Sequence, residues 1–351
     1  MKVMILAAGL GTRLHPLTEI CPKPLVPLML QPLLGHLLAQ LRQSHVQEVV
    51  INLHHHADQL RQWLGDGRQW GFQQIHVSYE PEILGTAGAM KQAEAILRDA
   101  PFCVINADVL SDVDLAAVWQ WHCQRQAVVT MVLRPDPDTH RYGTVMIDGD
   151  NRVCHINGRP EARAPLTGEN LMFTGLQVIS PQIFADIPPG QHCSTTAEIY
   201  PKLIARGAAV YGYRHDGYWM DIGVPTRYRQ AHWDFLDGVF RGPISVRDGT
   251  HLIRRAEDTP AGWAHVNIHP PVMVGACVEL AAGACIGPYA VIGPRCHVEV
   301  GASVRESVLW EGVRVASYAQ VDRCILGTGV AVPAHRVVSD AIQITTSEAS
   351  V

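Results

Sequence analysis

The sequence predicts a two-domain chain, an α/β domain with a mixed, mainly parallel sheet followed by a parallel β-helix. Three observations lead there. Strand-like and helix-like segments alternate over residues 1–237; a connector rich in Gly, Pro and charge occupies 238–265; and a six-residue aliphatic period then carries the β-helix over 266–338, ahead of a tail at 339–351. A length of 351 residues, at roughly 150 per domain, leaves room for two cores.

Within the first domain, Val3 to Leu6 is a short buried strand that runs into a long loop. Leu33, Leu34, Leu37, Leu38 and Leu41 then share one helical face, with Pro32 suited to the helix start. Val49–Leu53 reads as a strand, Ala57–Leu64 as a helix closed by Gly65-Asp66-Gly67, Ile75–Tyr79 as a strand, Ala89–Leu97 as a helix and Cys103–Asn106 as a buried strand. A helix near Leu115–Arg125, strands at Val128–Leu133, Thr144–Ile147 and Leu176–Ile179, a helix near Ala197–Arg206 and a strand near Val210 follow, and the helix after Pro225 closes the domain.

In the second domain Ile268, Val274, Leu280, Ile286, Ile292, Val298 and Val304 recur every sixth residue. Small or apolar residues (Val272, Val278, Ala284, Ala290, Cys296 and Ala302) stand four places after Ile268 and after each aliphatic through Val298. Neither a helix nor a simple strand has this period; it suits a triangular coil in which each hexad forms one face and the aliphatic points inward. Leu309, Val315 and Val321 resume the period after a slip, expected to mark an insertion. The pattern resembles the left-handed parallel β-helix of hexapeptide-repeat proteins.

Composition removes several function classes. With 28 Lys plus Arg against 33 Asp plus Glu, the net charge of −5 argues against a nucleic-acid partner. Nine Cys, an odd number without metal-type spacing, point to reduced thiols in a cytoplasmic protein. No stretch approaches the ~20 apolar residues of a membrane span, and the run Leu25–Leu34 is broken by Pro27, Gln31 and Pro32.

The first strand leads into Ala7-Ala8-Gly9-Leu10-Gly11-Thr12-Arg13-Leu14, a glycine-rich turn whose backbone N–H groups suit phosphate. Leu14 stands where a dinucleotide fingerprint needs its third glycine, and no Gly-Lys-Ser/Thr follows, so neither common phosphate loop is present. Downstream, Pro22-Lys23-Pro24 holds a lysine between two prolines that restrict its backbone. Residues 84–88 (Leu-Gly-Thr-Ala-Gly) and Asn106-Ala107-Asp108 also follow strands, and ligands of open α/β sheets bind beyond the carboxyl ends of strands. One cleft is therefore expected to gather residues 7–13, 84–88 and 106–108.

Gly-Leu-Gly-Thr-Arg-Leu-x-Pro-Leu-Thr over 9–18, followed by Pro-Lys-Pro-Leu-Val over 22–26, resembles the signature of sugar-1-phosphate nucleotidylyltransferases. The resemblance implies a Rossmann-like nucleotide-diphospho-sugar transferase domain that joins a nucleoside triphosphate to a sugar 1-phosphate and releases pyrophosphate. It makes Arg13, Lys23 and Asp108 the catalytic residues. It assigns nucleotide contacts to Leu6, Ala7, Ala8, Gly9, Gly11, Thr12, Arg13, Lys23, Gly85, Thr86 and Asn106, and Mg²⁺ to Asp108 and to Asp221 of Trp219-Met220-Asp221-Ile222-Gly223. Sugar phosphate falls to Gly143, Arg159, Gly175 and Glu198, although Glu198 equally suits a first-turn helix acid. Two departures stand on this side: Gly158-Arg159-Pro160 replaces the family's Glu-Lys-Pro, and Phe173-Thr174-Gly175 replaces Asn-Ala-Gly, while Tyr142-Gly143-Thr144 matches.

Within the family the chain is most similar to mannose-1-phosphate guanylyltransferases, which implies GTP and mannose 1-phosphate as substrates and a homo-oligomer assembled through the β-helix. Other pairings of UTP, dTTP, ATP or CTP with glucose, N-acetylhexosamine, heptose or muramic-acid phosphates, a non-catalytic regulatory subunit and a hexapeptide acyltransferase are the alternatives. His54-His55-His56 is expected to hold no metal, because successive side chains diverge, and Trp63 and Trp70 are expected to cover a core edge. Since the implied catalytic residues all precede residue 225, the β-helix is expected to serve assembly more than chemistry.

Overall fold

The computed structural model describes residues 1–135, 143–159, 168–240, 242 and 249–345. Tyr142, Pro160, part of the connector (243–248) and the end of the tail (346–351) lie outside the described residues. In chain order the first elements are β1 (Lys2–Leu6), α1 (Leu17–Ile20), a hairpin of β2 (Pro27–Leu28) and β3 (Gln31–Pro32), α2 (Leu33–Gln43), β4 (Glu48–Leu53), α3 (Ala57–Leu64), β5 (Gln74–Tyr79), α4 (Gly85–Gln92), α5 (Glu94–Leu97) and β6 (Phe102–Asn106). They are followed by β7 (Val109–Ser111), α6 (Leu115–Gln124), β8 (Val129–Arg134), β9 (Val145–Ile147), β10 (Val153–Ile156), β11 (Glu169–Ile179), a π-helical turn at Thr195–Ile199, α7 (Tyr200–Ala205), β12 (Val210–Arg214), β13 (Trp219–Asp221), α8 (Pro225–Leu236) and β14 (His251–Ile253).

In this domain two expectations are corrected and three strands are added. The helix expected at Ala89 starts at Gly85, because the Glu80 carboxylate accepts the Leu84 N–H at 2.9 Å and so satisfies an amide at the helix start. The strand expected at Leu176 begins at Glu169 and changes register between Phe173 and Gln177, where Gly175 adopts φ 81°. β7, β10 and β13 are three or four residues long, too short to show alternation, and sequence patterning missed them.

The chain forms two compact units, one of Met1–Leu10 with Leu37–Asp221 and the other of Gly11–His36 with Ile222–Val351. The first unit is built on a nine-stranded mixed sheet ordered β10-β9-β11-β6-β1-β4-β5, with β8 pairing β11 and β12. β6, β1, β4 and β5 are parallel, so their carboxyl ends lie along one edge. Apolar runs such as Val49-Val50-Ile51 are buried on both faces, as a parallel centre requires. Met4, Val50, Val104 and Met131 pack with Ala87 and Met90 of α4 and with Tyr200 and Leu203 of α7.

In the second unit the hexad aliphatics point inward as expected: Val274, Ile286, Ile292, Val304 and Val315 are fully buried, and Ala284, Ala290 and Ala302 fill the narrow corners. Ile268, Ile286 and Val304 stand in register eighteen residues apart. The expected insertion is instead a one-residue deletion: Leu309 follows Val304 by five places, and Val304 pairs Val321 seventeen residues on. Strands stack into three parallel ladders that continue to Ile342–Gln343. β14 runs antiparallel to Val272–Val274 and covers one open edge of the first coil. Cys296 and Cys324 are buried in this stack, and all nine cysteines are unpaired. Among the described residues no helix is long and apolar enough to cross a membrane.

Ile292 lies between Val274 and Leu309 in one ladder with no solvent exposure. Ile292→Ala is expected to destabilise the β-helix by ~2–5 kcal/mol, because neighbouring coils cannot collapse into the void; a denaturant titration that matches wild type would contradict this packing.

Candidate active site

In the first unit the parallel strands place the expected loops along one edge. Register pairs Leu6 with both Asn52 and Asn106, so the turn after β1 leaves between the ends of β4 and β6. The Ala7 N–H donates to Asn52 Oδ1 at 2.7 Å and the Ala107 N–H donates to the Leu6 carbonyl at 3.0 Å. Ala7 and Ala8 are buried, whereas Gly9 is exposed with open space around it.

Behind this turn lies a polar network that motif reading did not find. Asn52 Nδ2 donates to Glu80 Oε1 at 2.7 Å, Glu80 Oε2 accepts the Leu84 amide, and the Glu80 carbonyl lies 2.8 Å from His54 Nδ1. Glu80 is fully buried. One carboxylate thus fastens the glycine turn, through Asn52, to the start of α4. The available signal was a polar residue inside Val-Val-Ile-Asn-Leu, which a buried strand tolerates only when its amide is satisfied. His54 is accounted for by this contact, and the Trp63 and Trp70 rings pack on each other at 4.4 Å.

Residues 84–88 are less open to phosphate than their sequence suggests. The Ala87 and Gly88 N–H groups both donate to the Cys193 carbonyl, at 2.9 and 3.2 Å. A Cβ on Gly85 would stand 2.7 Å from that carbonyl oxygen, and one on Gly88 would stand 2.6 Å from the Gln191 carbonyl oxygen. These glycines let a neighbouring backbone approach. Thr86 Oγ1 lies 2.9 Å from Thr195 Oγ1 and accepts the Thr195 N–H. Glu198 accepts the Ser194 N–H at 2.9 Å, so its carboxylate performs the helix-capping task that was the alternative to sugar contact.

Gly175 also makes room for protein: its missing Cβ would lie 2.5 Å from Asn106 Nδ2. The exposed pair Asn157 (φ 51°) and Gly158 (φ 73°) forms a tight turn closed by Ile156 and Arg159, whose backbones exchange hydrogen bonds of 2.8 and 2.9 Å. Thr144 N–H donates to Asn157 Oδ1, and a Cβ on Gly143 would clash with that oxygen, so Gly143 and the Arg159 turn are brought together.

Asp108 follows β6 and Asp221 ends β13, which pairs antiparallel with β7 and sets Asp221 opposite Val109. The two aspartates are therefore one register step apart, Asp221 buried and Asp108 half-buried. Trp219 Nε1 donates to the Thr174 carbonyl at 2.8 Å and anchors β13.

In the second unit Gly11 has φ 68°, and a Cβ there would lie 3.0 Å from Thr18 Cγ2 and 3.2 Å from Lys23 Cβ. Thr18 Oγ1 donates to the Gly11 carbonyl at 2.9 Å. Thr12–Leu14 and Lys23–Leu25 are single 3₁₀ turns. Leu14 is buried while Thr12 and Arg13 are exposed, and Lys23 is half-buried between buried Pro22 and Pro24. This unit holds Gly11, Thr12, Arg13 and Lys23; the first holds the remaining expected residues.

The α/β sheet presents a glycine turn beyond the carboxyl ends of its parallel strands, where such sheets bind ligands, and β13 pairs Asp221 with the residue that follows Asp108. The nucleotidyl transferase family matches residues 2–238, and the GMPPB C-terminal domain matches 268–350. The chain belongs to the nucleotidyl transferase family. It is 31% identical to a UTP–glucose-1-phosphate uridylyltransferase of Synechocystis, over 93% of this chain and 87% of that protein. It is 30% identical to a mannose-1-phosphate guanylyltransferase of Mycobacterium tuberculosis, over 92% of this chain and 83% of that one. The crystal structure of HddC from Yersinia pseudotuberculosis is 28% identical with a TM-score of 0.56, covering 67% of this chain and 99% of that one.

Glu80→Gln leaves one acceptor where two donors converge. The variant is expected to lose ~1–3 kcal/mol of stability, measured as a lowered denaturation midpoint; an unchanged midpoint would mean the carboxylate is not needed there.

Proposed function

We propose that the protein transfers a guanylyl group from GTP to mannose 1-phosphate, giving GDP-mannose and pyrophosphate. The observation that carries the transferase reading is the pairing of Asp221, at the end of β13, with Val109, the residue that follows Asp108, in a chain that also carries the Arg13 and Lys23 signature. In this reaction a phosphate oxygen of the sugar attacks the α-phosphorus in line and the bond to pyrophosphate breaks. No protein nucleophile takes part, so positioning and charge neutralisation supply the catalysis. Arg13 takes the pyrophosphate side and Lys23 the α-phosphate. The turn at residues 7–12 receives the nucleotide, and Gly143 and Arg159 receive the sugar phosphate, Arg159 being able to pair bidentately.

Carboxylates are the donors that a hard divalent cation takes, so Asp108 and Asp221 suit Mg²⁺, with Asp221 paired to the residue that follows Asp108. When bound, such an ion neutralises phosphate oxygens. The mannose assignment is supported by the guanylyltransferase relative, which spans both domains, together with the GMPPB-type second domain. A second reading, UTP with glucose 1-phosphate, is favoured by the Synechocystis relative. A homo-oligomer formed through the β-helix accompanies either reading. Val300, Tyr318 and Val337 stand exposed on that domain, and light scattering on the full chain reads its mass.

Lys23→Ala and Asp108→Asn are each expected to lower kcat by ~100-fold or more, since the first removes the cation facing the developing anions and the second removes a carboxylate that would hold the divalent cation; near wild-type turnover in either folded variant defeats the site assignment. In competition among nucleoside triphosphates and sugar 1-phosphates, the GTP and mannose 1-phosphate pair is expected to give the highest kcat/KM. A clear preference for UTP or dTTP defeats the guanylyl reading and leaves the transferase reading standing.

A further inference from the structure

The second unit contains a buried hydrogen-bond relay that ends on the turn carrying Lys23. The Tyr228 hydroxyl, on α8, donates to the carbonyl of Pro27 and accepts from Trp310 Nε1 at 3.0 Å. Tyr228 has no solvent exposure and Trp310 has 3%. With its donor and acceptor both used inside the protein, the hydroxyl has a fixed direction. Pro27 lies four residues after Lys23, and the intervening backbone is tight: the Val26 N–H donates to the Lys23 carbonyl at 3.1 Å, and the Leu33 N–H donates to the Val26 carbonyl at 3.1 Å. From the other side, the hairpin of β2 and β3 is held by His36 Nε2 on the Leu28 carbonyl and by the Met29 N–H on His232 Nδ1.

Trp310 is not an ordinary solenoid residue. Ladder bonds align Gly275, Gly293, Trp310 and Gly327 as successive members of one column, each N–H donating to a carbonyl of the next coil. A Cβ on Gly293 would stand 2.5 Å from the Trp310 backbone. Three coils are bare at this position and the fourth bears an indole. The ring meets the Tyr228 hydroxyl, while the Trp310 backbone is fixed by its N–H on the Leu326 carbonyl at 2.8 Å. α8 is tied to the same stack by Arg229 Nη1, which donates to the Arg323 carbonyl at 2.6 Å.

We infer that the β-helix positions the catalytic lysine: Trp310 orients the Tyr228 hydroxyl, the hydroxyl holds the Pro27 carbonyl, and the Lys23 turn is thereby set against Gly11. Trp310 and Tyr228 are positioning residues and touch no substrate. The inference rests on the role proposed for Lys23. It adds a catalytic part to a domain expected to serve assembly more than chemistry, because a stiff stack of coils fixes one end of a relay whose other end is four residues from the reacting charge.

The experiment compares Tyr228→Phe, Trp310→Phe and the double variant in the full-length chain. Both changes keep an aromatic ring and delete one hydrogen-bonding group. Tyr228→Phe is expected to lower kcat about tenfold or more, in line with the ~100-fold that a 1 Å misplacement can cost, and Trp310→Phe about three- to tenfold, with KM for sugar phosphate within twofold of wild type. Because Trp310 acts through Tyr228, Trp310→Phe should lower kcat less than twofold further in the Tyr228→Phe background. Hydrogen exchange over residues 25–33 should accelerate in both single variants. Either folded variant turning over at the wild-type rate overturns the inference, as do fully multiplying losses in the double variant; should Tyr228→Phe fail to fold, Trp310→Phe decides alone. Lys23→Ala separates the two levels. If that variant stays active, the assignment of Lys23 fails and kcat is no readout of the relay, and hydrogen exchange then decides: unchanged exchange in Trp310→Phe overturns the relay itself.

Discussion

The constraint on which the first unit depends is the position of β1, paired in parallel with β4 on one side and β6 on the other. A central parallel strand has no free edge, and its exit is bounded by the ends of both neighbours. The turn at Ala7 therefore emerges beside Asn52 and Asn106, and the buried amide of Asn52 is satisfied by Ala7 ahead of it and Glu80 behind it. The same edge supplies Asp108, because β6 ends two residues before it. Parallel pairing alone brings these polar residues together from distant parts of the sequence, which is why such sheets place ligands beyond their carboxyl ends.

Glycine has a narrower role here than motif reading gives it. Gly85, Gly88, Gly143 and Gly175 each face a protein oxygen or nitrogen closer than a Cβ permits. Their absent side chains allow segments far apart in sequence to interlock: Cys193 against α4, Asn157 against residue 143, Asn106 against β11. Gly9 differs from these four, with nothing within 4 Å of a would-be Cβ, so its backbone stays open to solvent. Rigidity and access are thus divided among glycines that look alike in sequence.

This division explains what the sequence disclosed and what it withheld. Periodic features were legible: the leucine face of α2, the limits of α3, and the inward hexads from Ile268 to Val304 all follow from a repeating choice between core and solvent. Three-residue strands such as β7 and β13 have no period to read, yet their pairing is what sets Asp221 opposite Val109, the residue that follows Asp108. Lys23 and Asp108 stood out as candidates because their types are tied to charge. Asn52 and Glu80 did not, because their importance comes from a hydrogen bond across 28 residues that only the sheet order creates. The hexad slip was visible but its sign was misread, since an insertion and a deletion each break a period and only the ladder register tells them apart.

The β-helix shows how a repetitive domain acquires a specific contact. Each coil satisfies its backbone on its neighbours and its aliphatics in the shared interior, so repetition alone supplies stiffness but no individual feature. Individuality has to come from a position that faces outward and breaks the column. Trp310 does this in a column otherwise made of Gly275, Gly293 and Gly327. Leu309, directly before it, is the residue at which the period shortens to five, so the departure from the repeat and the outward indole coincide. A Tyr228 hydroxyl caught between that indole and the Pro27 carbonyl converts the stiffness of the stack into the placement of a short proline-bound turn. Proline restricts the backbone on both sides of Lys23 but cannot by itself say where the turn sits. The relay supplies that second coordinate, and it does so from a domain whose sequence pattern speaks only of repetition.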